Sequence, residues 1–145
     1  RSVAVGRINF GGRVVGRPVT IGMQKKRNYL PHQGMLIKRS LFSELGLYDI
    51  NYRLGMDYEW SLRLLNTWKV DMYFSDEILV YMDDTGVSIS NYPKTFFSYH
   101  SARMKQKKSH RIISLFYSIF FISRRTFSLK INGCLKIIRK KSRKC

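Results

Sequence analysis

A chain of 145 residues is long enough for one ordinary domain with its own core. Hydrophobic residues make up 44% of it and aromatics 14%, which excludes a disordered chain, because disordered chains lack the apolar residues that offset ordering entropy. The net charge of +18 is unevenly placed: residues 1–43 carry +9 and no acid, residues 44–84 carry −6 and hold all nine acids, and residues 85–145 carry +15 and no acid. A basic surface attracts nucleotide phosphates, anionic headgroups or nucleic acid, whereas acid–base or metal chemistry has to come from the acidic island.

The chain begins at Arg1, inside a strand-like pattern, so we expect a fragment whose N-terminal half lies elsewhere. Cys134 and Cys145 have no metal-ligand spacing; they leave one disulfide open, and a reducing cytoplasm is the simpler reading. No signal peptide opens the sequence. The longest apolar run, Ile112–Ile122, is interrupted by Ser114 and Ser118. It falls short of the roughly 18–20 residues that a spanning helix needs.

In chain order, residues 2–10 read as a strand. Gly11-Gly12 then predicts a hairpin turn into a second strand, RVVGRPV, which Pro18 places at an edge. Residues 20–33 are polar and basic and read as loop. Residues 35–37 (MLI) read as a short buried strand, followed by a short helix, LFSEL, capped by Ser40 and stopped at Gly46. The strongest helix covers 56–68: Tyr58, Leu62 and Leu65 share one face, and Trp60, Leu64 and Trp68 widen it. Two strand-like runs follow at 70–74 and 78–82, then a turn, DDTG. Residues 93–108 predict a polar, basic helix starting at Pro93. Beyond it a polar stripe of Lys107, Arg111, Ser114, Ser118 and Arg125 opposes a mass of Ile, Leu and Phe. A soft boundary falls near residue 91. It divides a region 1–91 from a basic amphipathic helical tail, 92–145.

Within the acidic island, Asp57 stands at the start of the strongest helix, just after Gly55. A carboxylate there is either an ordinary first-turn acid, stabilised by the helix N-terminus, or a general base held at a loop–helix junction. Glu59 sits four residues before Arg63, the favourable order for a helix-surface ion pair. Two residues apart on a helix, Asp57 and Glu59 point to different faces and make a poor shared acid–base pair. His32 and Gln33 follow Pro31 at the entrance to the MLI strand, where they suit either a solvated loop or donors to a sugar or phosphate. His32, His100 and His110 have no metal-site spacing. No nucleophile elbow, phosphate-binding glycine loop or zinc motif occurs.

The stretch LPHQGMLIKRSLFSELGLYDINYRLGMDYEWSLRLL, followed by EILVYMDDTGVS, resembles the C-terminal half of bacterial family 2 glycosyltransferases, most of all the branch that builds O-antigen and similar surface glycans. The match covers residues 30–65 and 77–88 in order and spacing, about a third of the chain. The resemblance implies an α/β fold, the C-terminal portion of a GT-A (Rossmann-like nucleotide-diphospho-sugar transferase) domain. It implies inverting transfer of a sugar from a nucleotide-sugar donor to a glycan or lipid-linked acceptor, with Asp57 as the base. Tyr58 and Glu59 complete that motif, and His32 and Gln33 would line the donor-sugar or acceptor pocket; Gly86, Val87 and Ser88 match a structural turn. The family's Asp-x-Asp motif and its divalent cation, Mg²⁺ or Mn²⁺, belong to the N-terminal half; no Asp-x-Asp occurs here. The 145 residues alone are therefore expected to be inactive.

The basic tail reads as an interfacial amphipathic region at the inner face of a cell membrane, or as a helix packed on the domain with a solvated charged face. Two alternatives remain beside the transferase: a non-catalytic transferase remnant, and a nucleic-acid-binding module. The charge would serve the latter, but no specific nucleic-acid motif is present.

Overall fold

The computed structural model describes residues 2–67, 70–106 and 111–142, with the side chains of 111, 129, 130 and 132–142 excepted. The architecture is mixed α/β. Its sheet is organised around β1 (Val3–Phe10). β4 (Met72–Met82) runs parallel to β1 along nearly its full length, from Val3 opposite Met72 to Phe10 opposite Met82. A strand has two edges, so β2 (Arg13–Val15) and β3 (Met35–Ile37) share the other one. β2 pairs antiparallel with Ile8–Phe10, and β3 pairs antiparallel with Val3–Val5.

The hairpin forms where two glycines allow it: Gly11 and Gly12 both take positive φ, 55° and 82°, which a residue with a Cβ adopts only at a cost. The two runs expected at 70–74 and 78–82 are one strand. The polar Ser75-Asp76-Glu77 between them is taken up by register shifts against Val5–Ile8 instead of ending the strand. β3 is a strand as expected, but it is not buried. Met35 and Ile37 lean on the core, while Leu36 is 70% exposed on the opposite face.

One face of the sheet is covered by helices. Val3 and Val5 of β1 meet Val19, Leu30, Leu41, Trp60 and Leu64 in one buried cluster. Trp60 is clamped from several sides: it stacks on Phe42 at 4.9 Å, meets Tyr48 at 5.8 Å, and donates its indole N–H to the Gly46 carbonyl at 2.9 Å. Residues 20–33, expected to be loop, contain a short helix α1 (Ile21–Lys26). Thr20 caps it by accepting from the Met23 amide at 3.2 Å. Helix α2 (Ser40–Leu45) ends at Gly46 as expected, but Ser40 makes no capping bond and is its first helical residue.

The strongest expected helix is α3 (Met56–Asn66); Trp68 lies outside the described residues. A one-turn helix α4 (Val87–Ser90) follows Gly86, and Val87 is exposed. Helix α5 (Tyr92–Lys105) begins with Pro93 in its first turn. It is less polar than its composition suggests, because its inner face packs on α3: Tyr58, Leu62 and Ala102 form a second buried cluster that Tyr99 and Tyr52 flank. The boundary near residue 91 therefore falls at a helix start, not between separate cores.

Helix α6 (Arg111–Ser142) packs on the domain but turns its serine stripe inward and its apolar face outward. Ser114 and Ser118 are buried, whereas Ile112, Phe116, Ile119, Phe120 and Phe127 are exposed. Lys107, also of the expected stripe, lies outside the described residues. The inward serines meet Arg103 of α5, itself 2% exposed. The Arg103 guanidinium donates to Ser114 Oγ at 2.7 Å, to the Ser114 carbonyl at 3.0 Å and to Ser118 Oγ. It also reaches the Tyr58 hydroxyl at 3.3 Å. A buried guanidinium requires its N–H groups to be met, and the serine stripe meets them. No helix among the described residues is long and apolar enough to cross a membrane.

Candidate functional site

Gly55 sets the entry to α3. Its φ of 97° is in the left-handed region. A Cβ there would lie 2.6 Å from the Tyr99 ring. Only glycine lets the chain turn into the helix this close to α5. Asp57 is then the second residue of α3, near the positive end of the helix dipole.

Three elements converge on the Asp57 carboxylate. His32, in the 3-10 turn His32–Gly34, brings Nδ1 to 3.0 Å from Asp57 Oδ2. Asn28, just after α1, donates its side-chain amide to the same oxygen at 3.1 Å. The backbone N–H of Tyr58 also favours the charged carboxylate. Burial by itself would push the carboxyl up. The hydrogen bond and charge of His32, the Tyr58 amide and the Asn28 amide outweigh burial and hold it below its ordinary value of 3.8. Asp57 is therefore an anion at neutral pH. Its side chain keeps 19% of its surface exposed, and that of His32 beside it 42%.

The Asn28 donor is oriented by a buried polar chain. Gln24, 0% exposed, accepts from the Tyr29 amide through Oε1 at 2.9 Å, which turns its Nε2 toward Asn28 Oδ1 at 2.8 Å and Ser61 Oγ at 2.7 Å. With its Oδ1 engaged, Asn28 presents Nδ2 to Asp57. Ser61 closes the chain by donating to the Tyr58 carbonyl at 2.7 Å. Each donor and acceptor has one arrangement that satisfies all of them, so the network specifies the Asn28 rotamer. Asn28 Nδ2 also lies 3.5 Å from the Tyr99 hydroxyl. Burial, and then the negative charge of Asp57, push the Tyr99 phenol well above its ordinary value. Tyr99 therefore stays a neutral hydroxyl beside the carboxylate.

The other residues expected at this site are placed differently. Tyr58 is fully buried. Its hydroxyl donates to the Gln24 carbonyl at 2.8 Å, and its ring lies 4.2 Å from that of Tyr99. It ties α1, α3 and α5 together, and in this structure it lines no open pocket. Glu59 does pair with Arg63, with Oε2 accepting from Nη2 at 2.8 Å and from Nε at 3.0 Å, but the pair is not a surface one: the Glu59 side chain is 0% exposed. Its Oε1 has no hydrogen-bond partner and sits 3.6 Å from Lys105 Nζ. Arg63 turns its remaining donors onto the carbonyls of Leu45, Gly46 and Leu47, holding the end of α2. Asp57 and Glu59 thus face different surroundings, as their spacing requires. Gln33 shares the His32 turn but is exposed and makes no hydrogen bond to Asp57.

Asn28 and Tyr99 were not anticipated. Nothing in RNYLP distinguishes Asn28 from a solvated loop residue. Tyr99 did carry a signal, because Phe96, Tyr99 and Ala102 recur every three residues along α5. Among the described residues no three His, Cys, Asp or Glu side chains cluster as metal ligands do, so the Asp57–His32 pair does not by itself form a divalent-cation site. The arrangement offers an oriented, ionised carboxylate with an imidazole beside it. Comparison with family models, with curated proteins and with solved structures finds no match to this chain.

Proposed function

We propose that this chain is the acceptor-side portion of an inverting nucleotide-sugar glycosyltransferase of GT-A type, acting in cell-surface polysaccharide synthesis, with Asp57 as the general base. The observation that carries the reading is the Asp57 carboxylate: anionic, partly open, and fixed at a loop–helix junction by Asn28 and His32. It is the residue to which the motif resemblance independently assigns the base.

The chemistry is the one the resemblance implies, and the geometry supports the role of its base. The acceptor hydroxyl attacks the anomeric carbon as the bond to the nucleotide diphosphate breaks, and the attack inverts the configuration. The hydroxyl becomes acidic only as the new C–O bond forms, so a carboxylate with a lowered pKa can take its proton at that stage. Asn28 holds one oxygen of the carboxylate, and His32 flanks the approach. Glu59, buried with Arg63, fixes α3 against α2 and has no direct part. The donor's nucleotide and the divalent cation would be held by a nucleotide-binding half carrying the Asp-x-Asp motif that these residues lack. The cation would neutralise the leaving diphosphate.

The test is Asp57→Asn in the protein that includes the nucleotide-binding half, assayed with UDP-, GDP- and dTDP-sugars and a membrane fraction as acceptor. We expect transfer to fall by about 10²–10⁴-fold, with nucleotide-sugar binding within about threefold of the parent. Transfer within tenfold of the parent would remove Asp57 as the base.

A further inference from the structure

We infer that α6 lies along an anionic lipid surface, with its Ile/Phe face in the headgroup–acyl boundary. This stands independently of the transferase reading.

The first observation is the orientation of the helix. Its weakly polar stripe, Ser114 and Ser118, is spent on the buried Arg103 guanidinium. Ile112, Phe116, Ile119 and Phe127 recur at spacings of four, three and eight, on the opposite side. Ile112 is 84% exposed, Phe116 64% and Phe127 66%. The ridge continues through Ile113 and Phe120, also exposed, and Phe116 stacks against Phe120 at 6.2 Å. A soluble surface scatters such residues singly; a contiguous ridge marks an interaction face. The helix cannot turn this ridge inward without stripping Arg103 of its partners.

The second observation is charge. Residues 85–145 hold fifteen Lys/Arg and no acid. Arg124 lies 5.8 Å from the ring centroid of Phe120, a ridge residue, and is exposed. A cation therefore borders the apolar ridge within a region of high positive charge, the pattern of an interfacial helix. The charge selects among occupants. A second copy docked ridge to ridge would bring two regions of +15 together, whereas an anionic leaflet complements them. Nucleic acid would answer the charge but would leave the Ile/Phe ridge in water.

The test uses the whole 145-residue chain with vesicles of phosphatidylcholine alone and of phosphatidylcholine with about 30% phosphatidylglycerol, enough to give the surface a negative potential. The variants are Phe116→Ser/Phe120→Ser, both at exposed positions, and Phe116→Trp as a depth probe. Circular dichroism and unchanged thermal unfolding establish that each variant is folded. We expect co-sedimentation with the anionic vesicles and roughly tenfold or greater loss of it in the double-serine variant. In Phe116→Trp, lipids brominated on the acyl chain should quench the introduced indole, read as the fluorescence lost beyond that of the parent. Three results would overturn the inference. One is equal binding to both vesicles. Another is anionic binding that the double-serine variant retains while the introduced indole escapes acyl-chain quenching, which means charge adsorption alone. The third is a parent dimer in light scattering that the double-serine variant dissolves while vesicle binding is absent.

Discussion

The two helix contacts that build this molecule are made of opposite materials. Where α3 meets the sheet, Trp60 and Leu64 are buried with Val3 and Val5, and the buried carboxylate of Glu59 is paired with Arg63. Where α6 meets α5, the fully buried groups of the contact are a guanidinium and two serine hydroxyls, with Phe121 stacked on Phe96 beside them, while Ile112, Phe116, Ile119, Phe120 and Phe127 are outside. The first contact is stabilised by removing apolar surface from water. The second holds by mutual satisfaction of polar groups, which is directional and weak in net energy. Position in sequence does not separate them, since both helices are rich in apolar residues. What separates them is whether the apolar face has a partner in this chain. The candidate base lies between the two contacts, with Gly55 and Asp57 packed beside Tyr99 of α5.

The comparison can be broken first at Trp60. Trp60→Ala should cost about 4 kcal/mol of stability, because it removes a fully buried indole and leaves a cavity against Phe42 and Tyr48. Denaturant unfolding with an unchanged slope would read this directly, and a cost below about 1 kcal/mol would mean that the α3–sheet contact is not the main core.

Arg103 sharpens the other side. Arg103→Ala should cost about 3 kcal/mol, since it removes the donor shared by Ser114, Ser118 and the Tyr58 hydroxyl and leaves a cavity where the buried guanidinium lay. The triple change Arg103→Met, Ser114→Ala, Ser118→Ala should recover most of that loss, because an apolar set of similar volume needs no hydrogen bonds. If the triple variant is as unstable as the single one, polar satisfaction is not what holds α6.

Gly55→Ala addresses the point where the two contacts meet. It combines an unfavourable φ with a Cβ 2.6 Å from the Tyr99 ring, and should cost about 2 kcal/mol. It should also displace Asp57 from Asn28, which an NMR signal of the Asn28 side-chain amide would report.

The smallest effect is the pH dependence of Asp57. A carboxyl held below its ordinary value contributes stability that is fully present above its unfolded pKa, near 3.8, and is lost as pH falls through the lower folded value. Asp57→Asn should therefore be less stable than the parent at neutral pH, with the gap closing below about pH 4. A gap that stays constant down to about pH 2 would mean that the His32 and Asn28 bonds do not favour the anion.

The sequence alone determined the elements whose signals are local. Alternating β-formers predicted β1, paired glycines predicted the hairpin, and a 3.6-residue apolar period predicted α3. The separation of Asp57 from Glu59 also follows from helical spacing. The polar run Ser75–Glu77 looked like a break between strands, but pairing to β1 carried β4 through it, because an irregular register absorbs residues that a local reading counts as a turn. Only the tertiary structure decided which groups meet Asp57. Asn28 bonds it directly, oriented by Gln24, and Tyr99 meets Asn28 from a helix 42 residues downstream of Asp57. It also decided which way α6 faces. Amphipathicity says that a helix has two faces, not which one the rest of the chain will cover. Here a buried guanidinium on α5 needed hydroxyls more than α6 needed to hide its phenylalanines.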